Sequence, residues 1–110
     1  MWHNTTKSVF SRMAVELGQR KTVIAYADDR ESAEAIAMDI RNEIEAFDHV
    51  DTGRMLNSVT ATTRGSQHVV TAVDYAVYVN GRDREIDGEG FIDAGVNNAI
   101  LDNYDGEVAI

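Results

Sequence analysis

The sequence predicts an α+β fold in which an antiparallel β-sheet packs against a long amphipathic helix, with further helices toward both ends. Three observations predict it. Apolar residues recur at helical spacing through the segment 33–47. The segments 57–63 and 68–73 are rich in Val, Thr and Ala, and four turn-like residues join them as a hairpin. Apolar residues at helical spacing also occur near both ends of the chain. The 110 residues suit one domain with one core.

The first predicted helix runs from about Asn4 to Leu17, and Gly18 ends it. Its apolar residues recur at spacings of three and four, which places them on one face. They are Val9, Phe10, Met13, Ala14 and Leu17. The next segment, 21–27, is ambiguous, because its β-branched residues suit a strand but it can also extend the following helix.

The second helix is the most clearly marked element. Asp28 followed by Glu31 forms a start that resembles a capping box. Most of the charged side chains lie off the apolar stripe. The stripe consists of Ala33, Ile36, Ala37, Ile40, Ile44 and Phe47. We expect this helix to form the spine of the domain, with the sheet packed on its stripe.

The segments after the hairpin are less clearly patterned. Residues 75–79 suit a third strand or a short helical turn. The glycine-dotted, charged segment 80–90 is predicted to be a loop. Apolar spacing from Ile92 then predicts a last helix that ends near Tyr104. Residues 105–110 are predicted to be a flexible arm.

The composition narrows the class of protein. A net charge of −9 and a pI of about 4.6 are opposite to those of a free-standing nucleic-acid binder. Such acidity keeps a protein soluble, and it is also typical of high-salt sources.

The absence of cysteine excludes disulfides and thiolate metal sites. Apolar runs are far shorter than the roughly 20 residues that span a bilayer, so no membrane association is expected. The first residues lack the pattern of a signal peptide, so we expect use in a cytoplasm or release by lysis.

One segment resembles a metal site. In residues 83–93 acidic side chains alternate and a glycine follows the third, as in a calcium-binding loop. The match fails further on, because Ala94 stands where a bidentate glutamate is required and Gly90 where an apolar residue is usual. A solvated acidic loop is the simpler interpretation, and a calcium-dependent binding module is the alternative.

A second segment has residues that suit acid–base chemistry. His49 lies between Asp48 and Asp51, and histidine titrates near neutral pH. A histidine at the end of a helix also commonly interacts with the terminal carbonyls. The sequence contains no nucleophile elbow, P-loop or dinucleotide fingerprint, and we expect no enzymatic activity.

Residues 51–54, which follow, are typical of a tight turn at the entry to a strand. Asp51 and Thr52 can bond nearby backbone N–H groups, and Gly53 permits a backbone angle that other residues resist. Arg54 offers a rigid fork for a carboxylate, although it also fits an ordinary surface position.

Three motifs follow one another in a fixed order. The long helix leads into Asp51-Thr52-Gly53-Arg54-x-Leu56-x-Ser58, the hairpin leads into Tyr75-Ala76-x-Tyr78-Val79, and Gly90-Phe91-Ile92-x-Ala94 opens the last helix. In these motifs the chain resembles the tail-completion, or head-to-tail joining, proteins of long-tailed bacterial and archaeal viruses. The resemblance covers about residues 30–104. Asn80-Gly81-Arg82 stands where that family often has an acidic residue and then Gly-Thr.

The resemblance implies an α+β fold and a ring of subunits, commonly six, at the head-proximal end of the tail. It implies a place in the virion neck, assembly in the host cytoplasm, and no cofactor. The implied partners are other copies of the chain, the tail tube protein, and the head-side connector or head-closure protein. Genomic DNA would pass through the lumen without specific binding. A tail terminator or head-closure protein is an alternative within the virion, and an acidic or calcium-binding module is the alternative outside it.

Candidate contact residues follow from the motifs. In a ring one face of a subunit meets a different face of the next, and aromatic residues and arginine are common at such contacts. The candidates are Asp51, Thr52, Gly53, Arg54, Tyr75, Tyr78, Arg82, Arg84 and Phe91. The three aromatic residues among them fit a place in the core equally well.

Overall fold

The computed structural model describes residues 20–47, 49 and 53–110. The elements are β1 (Lys21–Ala27), α1 (Arg30–Ala46), α2 (Gly53–Ser58), β2 (Thr60–Arg64), β3 (Gln67–Val73), α3 (Asp74–Asp87), α4 (Phe91–Leu101) and β4 (Gly106–Val108). The strands form one antiparallel sheet in the order β2-β3-β1-β4. The predicted α+β fold is confirmed. The helix predicted at 4–17 lies outside the described residues.

The long helix is the spine that the sequence predicts. Cross-strand pairing aligns Val108, Ala25, Val70 and Ala61 in one row across the sheet, on the side that we call its inner face. The apolar stripe of α1 packs on this face, and its residues Ile36, Ile40 and Ile44 are fully buried. Helix α4 packs beside α1, so both helices share one core with the inner face.

Helix α1 starts one residue later than the sequence predicts. Its N-cap is Asp29, whose carboxylate accepts a hydrogen bond from the Ser32 N–H at 2.7 Å. This bond lowers the pKa of Asp29. Asp28 instead donates its N–H to the Asp105 carbonyl at 3.0 Å. The spacing Asp-x-x-Ser therefore fixes the start of the helix, rather than the pair Asp28 and Glu31.

The predicted hairpin is present with different bounds. Residues 57 and 58 belong to α2, where the sequence predicts strand, because the Ser58 hydroxyl donates to the Met55 carbonyl at 2.7 Å and accepts from the Val73 N–H at 3.1 Å. These bonds hold α2 against the end of β3. The hairpin connection is two residues long rather than four, and its Gly65 has a positive φ of 63°.

Helix α3 corrects two predictions. Residues 75–79 are helical, which selects the helical alternative over a third strand, and the predicted loop 80–90 is helical as far as Asp87. Gly88 ends the helix in the left-handed conformation, with φ of 82°, and its N–H donates to the Arg84 carbonyl at 2.9 Å. The local composition suggested a loop, but Asn80 and Asp83 are buried against the rest of the chain.

The predicted flexible arm at 105–110 is wrong for its central residues. Gly106–Val108 form β4, which pairs with Ala25–Ala27 of β1. The Ala109 N–H extends the pairing by donating to the Ile24 carbonyl at 3.0 Å. Ala27 is partly buried and packs against the core, so β4 pairs with a strand that itself contacts the core. The last helix ends at Leu101, three residues before the predicted end.

Candidate functional site

The predicted contact residues on α3 separate by exposure. Tyr78 is 72% exposed, Arg82 is exposed, and Ile86 one turn further on is 72% exposed. Because a spacing of four residues aligns side chains on one face of a helix, these three form a continuous stripe, which we call the α3 stripe. Tyr75 is half-buried against the core instead. Sequence reasoning missed Ile86, because it placed that residue in a loop.

The candidates around α2 are only partly described. Asp51 and Thr52 lie outside the described residues. Gly53 begins α2, and Arg54 follows it with an exposed side chain. The predicted tight entry into a strand is therefore a short helix at this position, and Arg54 remains accessible to a partner.

Arg84 is exposed, but its guanidinium is bonded within the chain. Its Nε and Nη2 atoms donate to the two carboxylate oxygens of Asp93, each at 2.7 Å, and Nη2 also donates to the Ile110 carbonyl at 3.1 Å. The bidentate bond to Arg84 lowers the pKa of Asp93. Asp93 also accepts from the Gly90 N–H at 3.0 Å, so one carboxylate caps α4 and ties it to α3.

Asn80 supports the same junction from the buried side of α3. Its Oδ1 accepts from the Ile92 N–H at 2.8 Å, and its Nδ2 lies 3.5 Å from Asp93. A Cβ atom at Gly90 would fall 2.7 Å from the Asn80 carbonyl, so the close approach requires glycine there. The sequence marked Asn80 as a departure from the resembled family, and the structure uses it to cap the last helix.

The prediction that Phe91 contacts a partner is wrong, because its side chain is 0% exposed and lies in the core. Its ring centre lies 5.7 Å from that of His49, which stacks at 6.2 Å on Phe47. His49 Nε2 lies 3.0 Å from a carboxylate oxygen of Asp83. This cluster joins the end of α1 to α3. Asp48 and Asp51, the partners that the sequence suggested, lie outside the described residues.

A second exposed patch lies where α1 passes the end of α4. Met38 is 60% exposed and Leu101 is 79% exposed. Leu101 directly precedes Asp102 in the sequence, and both Asp102 and Met38 line a groove of about 340 Å³. It is lined by Glu31, Glu34, Ala35, Met38, Asp39, Asp102 and Tyr104, and we call it the acidic groove. Burial and then the charge of Asp102 raise the pKa of Asp39, so a cation placed here would relieve an unfavourable charge.

The two patches lie at opposite ends of α4. The α3 stripe belongs to the helix that Arg84 and Asp93 bind to the first turn of α4, whereas the acidic groove includes Asp102, the C-cap. The 11 residues of α4 make this helix roughly 16 Å long. One patch carries an arginine between two apolar side chains, and the other carries carboxylates beside two apolar side chains.

The calcium-loop alternative does not fit the geometry. Residues 83–87 are helical, Asp83 is bonded to His49, and Asp93 is bonded to Arg84. In the described part of the chain, no group of three or more His, Cys, Asp or Glu side chains could hold a metal ion. None of the helices described is long and apolar enough to cross a membrane.

The whole chain was compared with protein-family models, curated proteins and solved structures, and none of them matches it.

Proposed function

We propose that this chain is a structural subunit of a ring in the neck of a long-tailed virus, where it completes the tail and joins it to the head connector. The observation that carries the proposal is the pair of unlike patches at opposite ends of α4. A ring is built by a heterologous contact, in which one surface of each subunit meets a different surface of the next. The α3 stripe and the acidic groove have the composition of such a pair.

The contact would place the α3 stripe of one subunit against the acidic groove of its neighbour. Arg82 would approach Asp39 and Asp102, whose mutual repulsion a guanidinium relieves. Tyr78 and Ile86 would cover Met38 and Leu101, which are otherwise exposed to water. Arg82 supplies the positive charge of the α3 stripe. Glu85, which is also exposed, lies beside the stripe.

The fold and the charge support the same role. An antiparallel sheet packed on a long helix is the arrangement that the resemblance to tail-completion proteins implies. At −9 per chain, six copies would carry a net charge of −54. A lumen lined by few unpaired Lys and Arg side chains binds phosphate weakly, so DNA would pass through the ring without being held.

Paired cysteines test the ring contact in assembled particles. The chain has no cysteine of its own, so Tyr78→Cys combined with Met38→Cys introduces the only pair. Under mild oxidation, purified particles should yield a ladder of cross-linked chains that stops at the number of subunits in the closed ring. The matched control combines Met38→Cys with Arg64→Cys, an exposed position at the tip of the hairpin, and should yield monomers. Absence of the chain from purified particles, or equal ladders from both pairs, would contradict the proposal.

A further inference from the structure

The sheet has two open edges. Strands β2 and β4 stand at the two ends of the order β2-β3-β1-β4, so each has a described neighbour on one side only. An edge strand presents unpaired N–H and C=O groups, and another extended strand can pair with them. Proteins often protect such edges with proline or lysine, and neither residue occurs in β2 or β4.

Ala61 and Thr63 direct the free backbone groups of β2 outward. Arg64 pairs with Gln67 across the two-residue turn, which directs the backbone groups of Arg64 toward β3. Because these groups alternate along an antiparallel strand, those of Ala61 and Thr63 point away from the sheet. The Val59 carbonyl follows the same alternation, since it accepts two bonds from the Arg41 side chain, at 2.8 and 3.2 Å.

Gly106 and Val108 direct the free backbone groups of β4 outward. The Asp105 carbonyl accepts from the Asp28 N–H, and the Ala109 N–H donates to the Ile24 carbonyl, each at 3.0 Å. Residues 105 and 109 therefore face β1, and the alternation directs residues 106 and 108 away from it. Each edge thus presents two outward-facing residues.

The β2 edge is basic in an otherwise acidic chain. Residues 52–73, which include β2, contain no Asp or Glu, and Arg64 is exposed at the end of the strand. A groove of about 250 Å³ beside β2 is lined by Arg30 and His68 and by one carboxylate, Glu34. This edge suits an acidic strand.

The β4 edge has the opposite charge. Asp28, Asp105 and Glu107 line a groove there, and none of the residues that line it is a cation. The two edges lie about 14 Å apart across three strand spacings, so those of one chain cannot pair with each other. Their unlike charges favour pairing between two copies instead.

The strand directions allow this pairing without a change of orientation. The four strands alternate in direction, so a second copy placed beside β2 in the same orientation brings its β4 antiparallel to β2. If the cross-strand rows continue, Val108 of the second copy falls opposite Ala61, and its Gly106 falls opposite Thr63. This register pairs all four outward-facing residues, and it places Asp105 of the second copy opposite Arg64.

We propose that β2 of one chain binds β4 of a second copy as an added antiparallel strand, with Ala61 opposite Val108 and Thr63 opposite Gly106. The contact is head-to-tail, because each chain contributes a different edge. It is separate from the contact between the α3 stripe and the acidic groove, and it does not depend on a viral role.

Paired cysteines test the contact and its register in the purified full-length protein, at about 1 mM so that a weak contact is populated. Thr62→Cys with Glu107→Cys places two cysteines opposite each other, at a Cα separation of about 4.5 Å that suits a disulfide. Under mild oxidation this pair should link chains into multimers about tenfold faster than Thr60→Cys with Glu107→Cys, whose first cysteine lies about 7 Å further along β2.

Three results would overturn the proposal. Equal rates for the two pairs would show a different register, and no multimers from either pair would show that the edges do not meet. Linkage of the single variant Thr62→Cys at the same rate would show that β2 pairs with itself.

Exchange of one charge pair tests the attraction between the edges. Arg64→Glu places like charges opposite each other and should weaken self-association about fivefold in sedimentation velocity, whereas Arg64→Glu with Asp105→Arg should restore it. Arg20→Glu is the matched control, because it makes the same change in net charge at an exposed position beside the opposite end of β1 and β3. Equal weakening in Arg64→Glu and Arg20→Glu, or no restoration in the double variant, would contradict the proposed pairing.

Discussion

Arg82 and Arg84 lie two residues apart on α3 but have different surroundings. Arg84 is fixed by two 2.7 Å bonds to Asp93, which also caps α4, whereas Arg82 is exposed on the α3 stripe and makes no ion pair with the described residues. Sequence reasoning treated both arginines as contact residues, because nothing local in the sequence tells a bonded arginine from a free one. The difference depends on Asp93, nine residues away across a turn.

The first prediction compares alanine substitutions of these two residues. Arg84→Ala should lower the free energy of unfolding by about 1–2 kcal/mol at pH 7, because it removes a bidentate charged bond that is partly screened by solvent. Arg82→Ala should change it by less than about 0.5 kcal/mol. Denaturant unfolding of both variants measures the difference.

The same pair gives a pH dependence whose sign follows from Asp93. Its pKa is lowered in the folded chain from an ordinary value of 3.8. A carboxylate with a lowered pKa contributes stability that is present above its unfolded value and is lost as the pH falls through its folded value. The stability curves of wild type and Arg84→Ala should therefore converge in acid below about pH 4. A gap that persists in acid would mean that Arg84 acts through packing rather than through this bond.

At the scale of elements, α4 lies on α1 at a glycine. A Cβ atom on Gly95 would fall 2.7 Å from the Cα atom of Ile40 and 2.8 Å from its nitrogen. Both contacts are with the backbone of α1, so no side chain can move aside to relieve them. The crossing sets the distance between the two helices, and through it the position of the acidic groove beside them.

The second prediction uses two glycines in helices. Gly95→Ala should destabilise the fold by about 2–3 kcal/mol, because the helices must separate. Gly81→Ala in α3 should stabilise it by about 0.5–1 kcal/mol, since a Cβ atom there meets nothing within 4 Å and alanine favours the helix. Thermal unfolding of both variants provides the test, and shifts of the same sign would contradict the described crossing.

How much of each element is predictable depends on where its stabilising contacts lie. Helix α1 has its apolar stripe within one segment, and the hairpin strands are adjacent in sequence, so both are visible to local patterns. Helix α3 is polar along much of its length, and its buried Asn80 bonds to residue 92 far from it in sequence. Strand β4 forms only because the edge of β1 is free to pair with it. Such elements are stabilised by contacts with residues distant in the sequence, and a local pattern does not show these contacts.

The candidate site follows the same logic. Tyr78 and Arg82 were named as candidates because the motifs drew attention to them, and both are exposed. Ile86 was not, because its exposure on a helical stripe depends on α3 being a helix at all. The acidic groove was also not predictable, since it brings together residues from α1 and from the end of α4, about 70 positions apart.

At the scale of the whole molecule, the account assigns each surface a role. The inner face of the sheet forms the core with α1 and α4. The two patches at the ends of α4 are assigned to neighbouring subunits. A subunit with two different contact surfaces and a strongly acidic charge suits a ring around DNA better than it suits a free-standing binding module.

Electron microscopy of lysates, after this gene is deleted from the genome that encodes it, tests the central claim most directly. The account predicts DNA-filled heads and separate, unjoined tails, with joined particles restored when the wild-type gene is supplied in trans. Normal infectious particles in the absence of the gene would contradict a role in completing or joining the tail.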